Sequence, residues 1–277
     1  FILVIAASFF AGNHIAARIT FDDGTGVMLA IMMRCSTAFI LMMGIVYFKR
    51  ASLFIAQPLR KWLFILGLLI AIQSLFLYKA ITLIPVAMAL LLVNTWPMLF
   101  ILASWGLGKR RPSLALLFML GAIFTGLTLV LDIHSWFDAS HTFSHDWLLG
   151  SVLAFLSAVF LTIVMWLSQY QLAELPGSVR SSYTMGVVII IMLIAGLTDL
   201  IPSGLTLPKT DTGWIALLSL SILYGIAFTL IFVLASKLDM GRNSPILNFE
   251  PVASLFLGYA FLGQCRVFVN GWFNVKH

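Results

Sequence analysis

The chain has 277 residues, of which 61% are hydrophobic and 9% are charged, and its mean hydropathy is +1.07. Soluble domains carry about 25% charged residues, so this composition excludes a soluble globular protein and predicts an integral membrane protein. The formal net charge of +6 does not indicate a nucleic-acid partner, because the basic residues form short clusters between apolar runs.

Successive apolar runs, each long enough to cross a bilayer as a helix, are separated by charged, proline-rich or glycine-rich breaks. They cover residues 2–19, 27–47, 62–82, 85–107, 113–131, 147–168, 181–201, 213–235 and 244–263. Only Val267 to His277 follow Arg266, and these residues would form about 16 Å of helix. We therefore expect an all-α polytopic protein whose tenth span is incomplete.

The loops between the runs differ in charge from one side of the membrane to the other. If the runs alternate in direction, one side carries Lys49, Arg50, Arg60, Lys61, Lys109, Arg110, Arg111, Arg180, Lys237 and Arg242. The other side carries Arg18, Lys209 and Arg266. Since cytoplasmic loops are enriched in Lys and Arg, we expect a cytoplasmic N-terminus. The tryptophans near the ends of the runs are typical of membrane interfaces: Trp62, Trp105, Trp136, Trp147 and Trp214.

Two stretches of the sequence share one pattern of residues at similar spacing. The pattern is Asn94, Trp96, Pro97, Leu107 and Gly108 in the first stretch, and Asn248, Glu250, Pro251, Leu262 and Gly263 in the second. If each unit holds five spans, the odd number inverts the second copy relative to the first. We therefore predict about ten helices in two inverted five-helix repeats, residues 1–131 and 147–277, with a substrate site near the midplane between them.

Four ionisable residues are predicted at membrane depth, away from the interfaces: His14, Arg34, Lys79 and Glu250. Each costs about 2.5 to 3.5 kcal/mol at the bilayer centre on insertion scales, so such residues usually face a cavity. Glu250 precedes Pro251, which kinks a helix and frees a backbone carbonyl. Its carboxylate is expected to bind a substrate ammonium or to carry a proton. The alternative is an ion pair of Arg34 or Lys79 with Glu250 that only holds helices together.

Aromatic residues lie at the same predicted depth. Trp96 is far from either interface and would form a wall against an apolar substrate group, or else pack between helices. Tyr78 would add a ring and a hydroxyl. The candidate substrate-binding residues are therefore Tyr78, Lys79, Trp96, Asn94, His14, Arg34, Glu250 and Asn248. Together they suit an amino acid with an apolar side chain, although nucleotide sugars and cationic drugs use similar groups.

The sequence carries no signature of an enzyme or of an ATP-driven pump. Gly106 to Lys109 lack the Walker A spacing, and the histidines lack the metalloprotease pattern. A polar loop with His134, His141, His145 and Asp138 is expected to be hydrated, with weak metal binding as the alternative. We expect no catalytic residue, cofactor or resident metal. An intramembrane enzyme or lipid-handling protein is the alternative from a different functional class.

The same motifs resemble the drug/metabolite transporter superfamily, and within it the EamA type. The resemblance is carried by Ile84 to Leu92, Trp96-Pro97 and Leu107-Gly108, echoed by Glu250 to Ala253 and Leu262-Gly263. Tyr78-Lys79 and Trp96-Pro97 further resemble the YddG aromatic amino-acid exporters. Lys109 and Gln264 depart from the pattern, since the family often has Glu after the Leu-Gly pair.

This resemblance implies ten helices, the bacterial inner membrane, and export of amino acids by alternating access. The implied partners are a small-molecule substrate and the lipid bilayer, without nucleic acid. The oligomeric state stays open, a monomer included.

Overall fold

The computed structural model describes residues 2–107, 145–198, 204–235 and 250–262, and the single positions 118, 121, 122 and 125. Within these ranges the main helices are α1 (Ile2–Asp22), α2 (Val27–Phe48), α3 (Gln57–Leu83), α4 (Val86–Val93), α5 (Trp96–Gly106), α6 (His145–Tyr170), α7 (Gly177–Leu197), α8 (Asp211–Ala235) and α9 (Glu250–Leu262). Seven segments of the described chain are long and apolar enough to cross a membrane, with α4 and α5 counted as one. Most of the predicted span 113–131 and the stretch after Arg266 lie outside the described residues, so the count of ten helices stays a prediction.

Prolines and polar first turns explain where several helices begin and end. Ile84 is extended, with φ −128° and ψ 162°, and ends α3, because a following proline disfavours the helical conformation. The spans predicted to begin at 62 and 181 start at Gln57 and Gly177 instead. Their first turns are polar, so a criterion based on apolar residues alone missed them.

The predicted span 85–107 is divided into α4 and α5 just before Pro97. Proline has no N–H to donate to the preceding turn. The side chains of Asn94 and Thr95 donate to carbonyls of α4 at 2.8 and 2.7 Å. Thr162 of α6 donates its hydroxyl to the carbonyl of Trp96 at 3.1 Å. Side chains thus satisfy carbonyls around the break, as irregular backbone at membrane depth requires.

We call α1 to α5 the first half and α6 to α9 the second half, and the contacts between these two sets of helices are reciprocal. The contact of α1 with α8 corresponds to that of α6 with α3, and the contact of α2 with α8 corresponds to that of α7 with α3. In the same way, the contact of α1 with α9 corresponds to that of α6 with α4 and α5. The contacts α2 with α7 and α4 with α9 complete the set. Exchanging α1 with α6, α2 with α7, α3 with α8, and α4–α5 with α9 reproduces the same pattern.

Equivalent crossings in this pattern each contain a closely packed glycine. A Cβ atom added at Gly67 of α3 would lie 2.6 Å from the Cβ of Val187 in α7. One added at Gly225 of α8 would lie 2.8 Å from Cγ2 of Thr37 in α2. Small residues allow membrane helices to approach closely enough for van der Waals packing. At both crossings, therefore, a glycine allows the two helices to approach closely.

α4 and α5 run in the same direction as α6. Ile84, just before α4, lies against Gly150 near the start of α6, whereas Trp96 lies against Thr162, further along α6. Gly106 and His145 consequently lie at opposite ends of the bundle.

Three of the tryptophans predicted at interfaces lie close to helix ends and are accessible. Trp105 and Trp214 are exposed, and the ring of half-buried Trp62 lies 5.6 Å from Nζ of Lys61. Trp147 packs against the core near the start of α6. Trp136 lies outside the described residues.

Candidate functional site

A buried arginine lies where α2 meets α3 and α8. Arg34 is 3% exposed, and its guanidinium carbon lies 4.3 Å from the centre of the Tyr78 ring and 4.5 Å from that of Tyr224. Its Nη1 donates to Tyr78 Oη at 3.1 Å, and Nη2 donates to Ser74 Oγ at 2.6 Å. Each cation–π contact contributes about 2 kcal/mol when desolvated. Within the described ranges, rings and hydroxyls rather than a carboxylate therefore stabilise this charge.

Polar and aromatic residues of four helices build this arrangement, which we call the Arg34 cluster (Arg34, Ser74, Tyr78, Tyr224 and Asn13). Ser74 and Tyr78 are four residues apart on α3 and so share one face of that helix. Asn13 of α1 lies 3.4 Å from Tyr78 Oη and donates Nδ2 to the carbonyl of Leu220 in α8 at 2.8 Å. The cluster thus joins α1, α2, α3 and α8.

A second polar contact lies beside the cluster. Nε2 of His14 in α1 is 3.3 Å from Oε1 of Glu250 in α9, and the two side chains are 6% and 17% exposed. The His14 ring meets the Tyr78 ring edge-on, with centroids 6.1 Å apart. Tyr78 therefore touches both the buried cation and the histidine of the buried acid–base pair.

The sequence-based alternative, an ion pair of Arg34 or Lys79 with Glu250, is wrong for the described residues. Glu250 pairs with His14 instead, because Arg34 is turned towards the rings and hydroxyls of α3 and α8. Lys79 is exposed. It follows Tyr78 directly and so lies about 100° further around α3.

The other predicted site residues lie elsewhere. Asn94 donates Nδ2 to the carbonyl of Leu90 in its own helix, and Trp96 is half-buried at the start of α5. The structure thus places both at the break between α4 and α5. Asn248 lies outside the described residues.

Several uncharged polar residues of the site were not singled out from the sequence. Tyr224 covers the second face of Arg34, Ser74 binds it, and Gln73 of α3 donates Nε2 to Ser157 Oγ of α6 at 2.9 Å. Consecutive polar residues at 73 and 74 in the middle of an apolar span were the available signal. A search for charged residues alone passed over them.

At one end of the bundle, two connecting segments are joined by hydrogen bonds; we call this the Asp23 clasp, residues 23–26 and 204–210. Asp23 Oδ2 accepts from the backbone N–H groups of Lys209 and Thr210 at 2.7 and 3.2 Å, and Oδ1 accepts from Thr210 Oγ1 at 2.7 Å. These bonds, above all that from the Thr210 hydroxyl, hold the pKa of Asp23 below its usual value. The clasp links the α1–α2 connection to the start of α8.

The backbone of the clasp has a specific conformation. Gly24 has φ +88°, a value that glycine adopts without steric cost, and its carbonyl accepts from Thr206 Oγ1 at 2.9 Å. Gly26 donates its N–H to the Thr206 carbonyl at 2.9 Å. The two connections are therefore joined through main chain as well as side chains.

A groove of about 550 Å³ lies at the other end of the bundle, by the end of α2, with Met43, Val46, Tyr47 and Arg50 among its lining residues. Tyr47 and the neighbouring Phe48 are highly exposed. Exposed aromatic side chains at a helix end are typical of the headgroup region. We therefore place the candidate site at the Arg34 cluster and not in this groove.

The sequence matches the EamA-like transporter family over residues 1–132 and 148–265. No curated protein matches it. A structure described only as the crystal structure of a protein is similar, with a TM-score of 0.65 and 19% identity over 94% of this chain and 86% of the other; at that identity the likeness shows the fold alone. Since the family match covers nearly the whole chain, this protein belongs to the EamA-like transporters, multi-pass membrane proteins of the drug/metabolite superfamily.

Proposed function

We propose that this protein exports amino acids with apolar side chains across the bacterial inner membrane by alternating access. The moving units are two inverted five-helix repeats, residues 1–131 and 147–277, and the N-terminus is cytoplasmic. The reciprocal packing of the two halves supports this division, as do the two separate ranges that match the family.

The choice of cargo rests on the position of Tyr78 between a buried cation and a buried acid–base pair. Tyr78 touches Arg34 and His14, and His14 touches Glu250. The Glu250 side chain is 17% exposed and is therefore more accessible than that of His14, which is 6% exposed. Glu250 would bind the substrate ammonium. Nε of Arg34 has no hydrogen-bond partner among the described residues, which leaves a donor for the substrate carboxylate.

Both polar contacts cross between the halves. Arg34 belongs to the first half and Tyr224 to the second, and His14 and Glu250 are divided in the same way. Relative motion of the halves would separate each pair and uncover Arg34 and Glu250 together. Alternating access and substrate binding would then use the same side chains.

The charges of this site favour a zwitterion over the other cargoes considered. An amino acid brings one carboxylate for Arg34 and one ammonium for Glu250, so no charge is left unpaired in the low-dielectric interior. A nucleotide sugar carries a diphosphate and would leave a negative charge beside Glu250. A cationic drug would place its positive charge near Arg34.

Uptake into liposomes tests the proposal. Purified protein should carry labelled phenylalanine or leucine into liposomes, and Glu250→Gln should reduce the rate several-fold because it removes the carboxylate proposed to bind the substrate ammonium. Glu174→Gln is the matched control, since Glu174 is exposed in the connection between α6 and α7, and it should retain uptake. No flux above protein-free liposomes for any amino acid would refute the proposed cargo.

A competition panel separates the alternatives within the family. Unlabelled apolar amino acids should reduce the labelled flux, whereas nucleotide sugars and quaternary amines should not. Stronger competition by either of these would reassign the cargo to that class.

A further inference from the structure

Two adjoining grooves lie at the end of the bundle where α2 finishes and α3 begins. The first, of about 550 Å³, is lined by apolar side chains at the end of α2 and by Arg50. The second, of about 400 Å³, is lined by apolar side chains near the start of α3, by Arg60 and by Tyr183 of α7. Leu53 borders both grooves. Each groove therefore combines an apolar surface with one arginine.

The arginines of these grooves are not neutralised by carboxylates. The sequence contains no acidic residue between Asp23 and Asp132. In the part of the chain that the structure describes, neither Arg50 nor Arg60 forms an ion pair. Glu174 is exposed in the connection between α6 and α7 and lines neither groove. Unpaired cations beside apolar grooves are complementary to an anion that carries hydrocarbon chains.

Arg50 adopts a backbone conformation that favours glycine. Its φ is +48°, and it is the only residue other than glycine with a positive φ in the described ranges. Its N–H donates to the carbonyl of Tyr47 at 3.1 Å, and that of Ala51 donates to the carbonyl of Val46 at 3.0 Å. This pattern usually ends a helix at a glycine, which has no Cβ to oppose it. An arginine in this strained conformation indicates a use for its side chain.

The walls of the second groove are held in place by hydrogen bonds. Arg60 donates Nε to the carbonyl of Ile55 at 3.1 Å. Tyr183 donates its hydroxyl to the carbonyl of Leu53 at 2.8 Å. The connection between α2 and α3 is thus fixed by one side chain from α3 and one from α7. The groove is formed without a ligand, as binding sites usually are.

We propose that this surface binds an anionic phospholipid. The guanidinium groups of Arg50 and Arg60 bind its phosphate, since the planar donor fork of arginine suits phosphate oxygens, and its acyl chains lie in the two grooves. Exposed aromatic side chains flank the grooves, as is typical at the depth of lipid headgroups: Tyr47, Phe48 and Phe54. This lipid site is separate from the Arg34 cluster and does not depend on the cargo.

Native mass spectrometry of the purified protein in a neutral detergent measures the binding. Phosphatidylglycerol is the anionic probe, and phosphatidylcholine with the same acyl chains is the comparison without net charge. The wild type should retain phosphatidylglycerol in preference. Arg50→Gly and Arg60→Gln should each weaken its binding about five-fold. Lys79→Gln is the matched control, because Lys79 is exposed near the other end of α3, and it should bind phosphatidylglycerol as the wild type does.

Arg50→Gly separates a loss of binding from a loss of folding. Glycine suits the positive φ at this position, so the variant without lipid should unfold at the same temperature as the wild type or higher. The rise in unfolding temperature that phosphatidylglycerol causes should be smaller in the variant. Equal affinity for phosphatidylglycerol in the wild type and in the double variant with Arg60→Gln would overturn the proposal. Equal retention of the two lipids by the wild type would also overturn it.

Glycerol phosphate identifies the source of the anion, because it carries a phosphate without acyl chains. It should not displace phosphatidylglycerol from the wild type at comparable concentration, since the grooves bind the chains. Displacement would assign the two arginines to a soluble phosphate compound and refute the lipid site.

Discussion

Arg34 and Tyr224 are stacked across the boundary between the two halves, with the guanidinium carbon 4.5 Å from the ring centre. The ring of Tyr224 also packs against Phe228 and Phe10. Tyr78 offers Arg34 both a ring and a hydroxyl, whereas the contact of Tyr224 with Arg34 is made by its ring. The two tyrosines therefore contribute differently to the stability of the same charge.

Tyr78→Phe and Tyr224→Phe test this difference. Tyr78→Phe removes the acceptor of a hydrogen bond from a buried cation and should lower stability by about 2 kcal/mol. Tyr224→Phe keeps the aromatic ring and should change stability by less than about 0.5 kcal/mol. Thermal unfolding of the purified variants in detergent measures both. Equal losses in the two variants would contradict the assigned roles.

The glycines at the equivalent helix crossings predict a second result. Gly67→Ala forces a methyl group against Val187 and should destabilise the protein by about 1 to 3 kcal/mol. Gly225→Ala should act in the same direction, less strongly where the Thr37 side chain can shift. Gly44→Ala in α2 is the control, because nothing lies within 4 Å of the added Cβ, and Ala is the better helix former. A loss at Gly44 as large as that at Gly67 would rule out close packing as the cause.

The Asp23 clasp predicts a pH dependence. The pKa of Asp23 is lowered in the folded protein, so its contribution to stability is present above its unfolded pKa of about 3.9. That contribution is lost as the pH falls through the lower, folded pKa. Asp23→Asn should lower the unfolding temperature at neutral pH and reduce the loss of stability on acidification.

Asp22→Asn is the matched control for the clasp. Asp22 is the neighbouring carboxylate and pairs with Arg18 near the surface, where ion pairs contribute little. Asp22→Asn should leave the loss of stability on acidification unchanged. If Asp23→Asn also left this loss unchanged, the clasp would not stabilise the fold.

The sequence contained the apolar spans but only part of the site. Arg34, Tyr78, His14 and Glu250 stood out because charged or aromatic residues at membrane depth are few. Their pairing could not be derived, since it depends on how far each helix is rotated, and one position separates buried Tyr78 from exposed Lys79. Tyr224 was hidden for a different reason: an aromatic residue in an apolar span is indistinguishable from ordinary packing until Arg34 is found against its face.

The orientation in the membrane can be tested by labelling cysteines in intact cells. With Cys35 and Cys265 replaced by Ala, Lys49→Cys and Leu207→Cys place single thiols at exposed positions at opposite ends of the bundle. The distribution of basic residues predicts that a membrane-impermeant maleimide labels Leu207→Cys from outside and Lys49→Cys only after lysis. The reverse pattern would invert the topology.

Amino-acid counterflow tests the central claim most directly. Liposomes containing the purified protein are loaded with unlabelled phenylalanine, and the uptake of a trace of labelled phenylalanine is compared with that of unloaded liposomes. A site that is open to one side at a time returns from the inner face with cargo, so internal phenylalanine should accelerate labelled uptake several-fold. Uptake that equals protein-free liposomes, or that is indifferent to the internal load, would contradict an alternating-access amino-acid transporter.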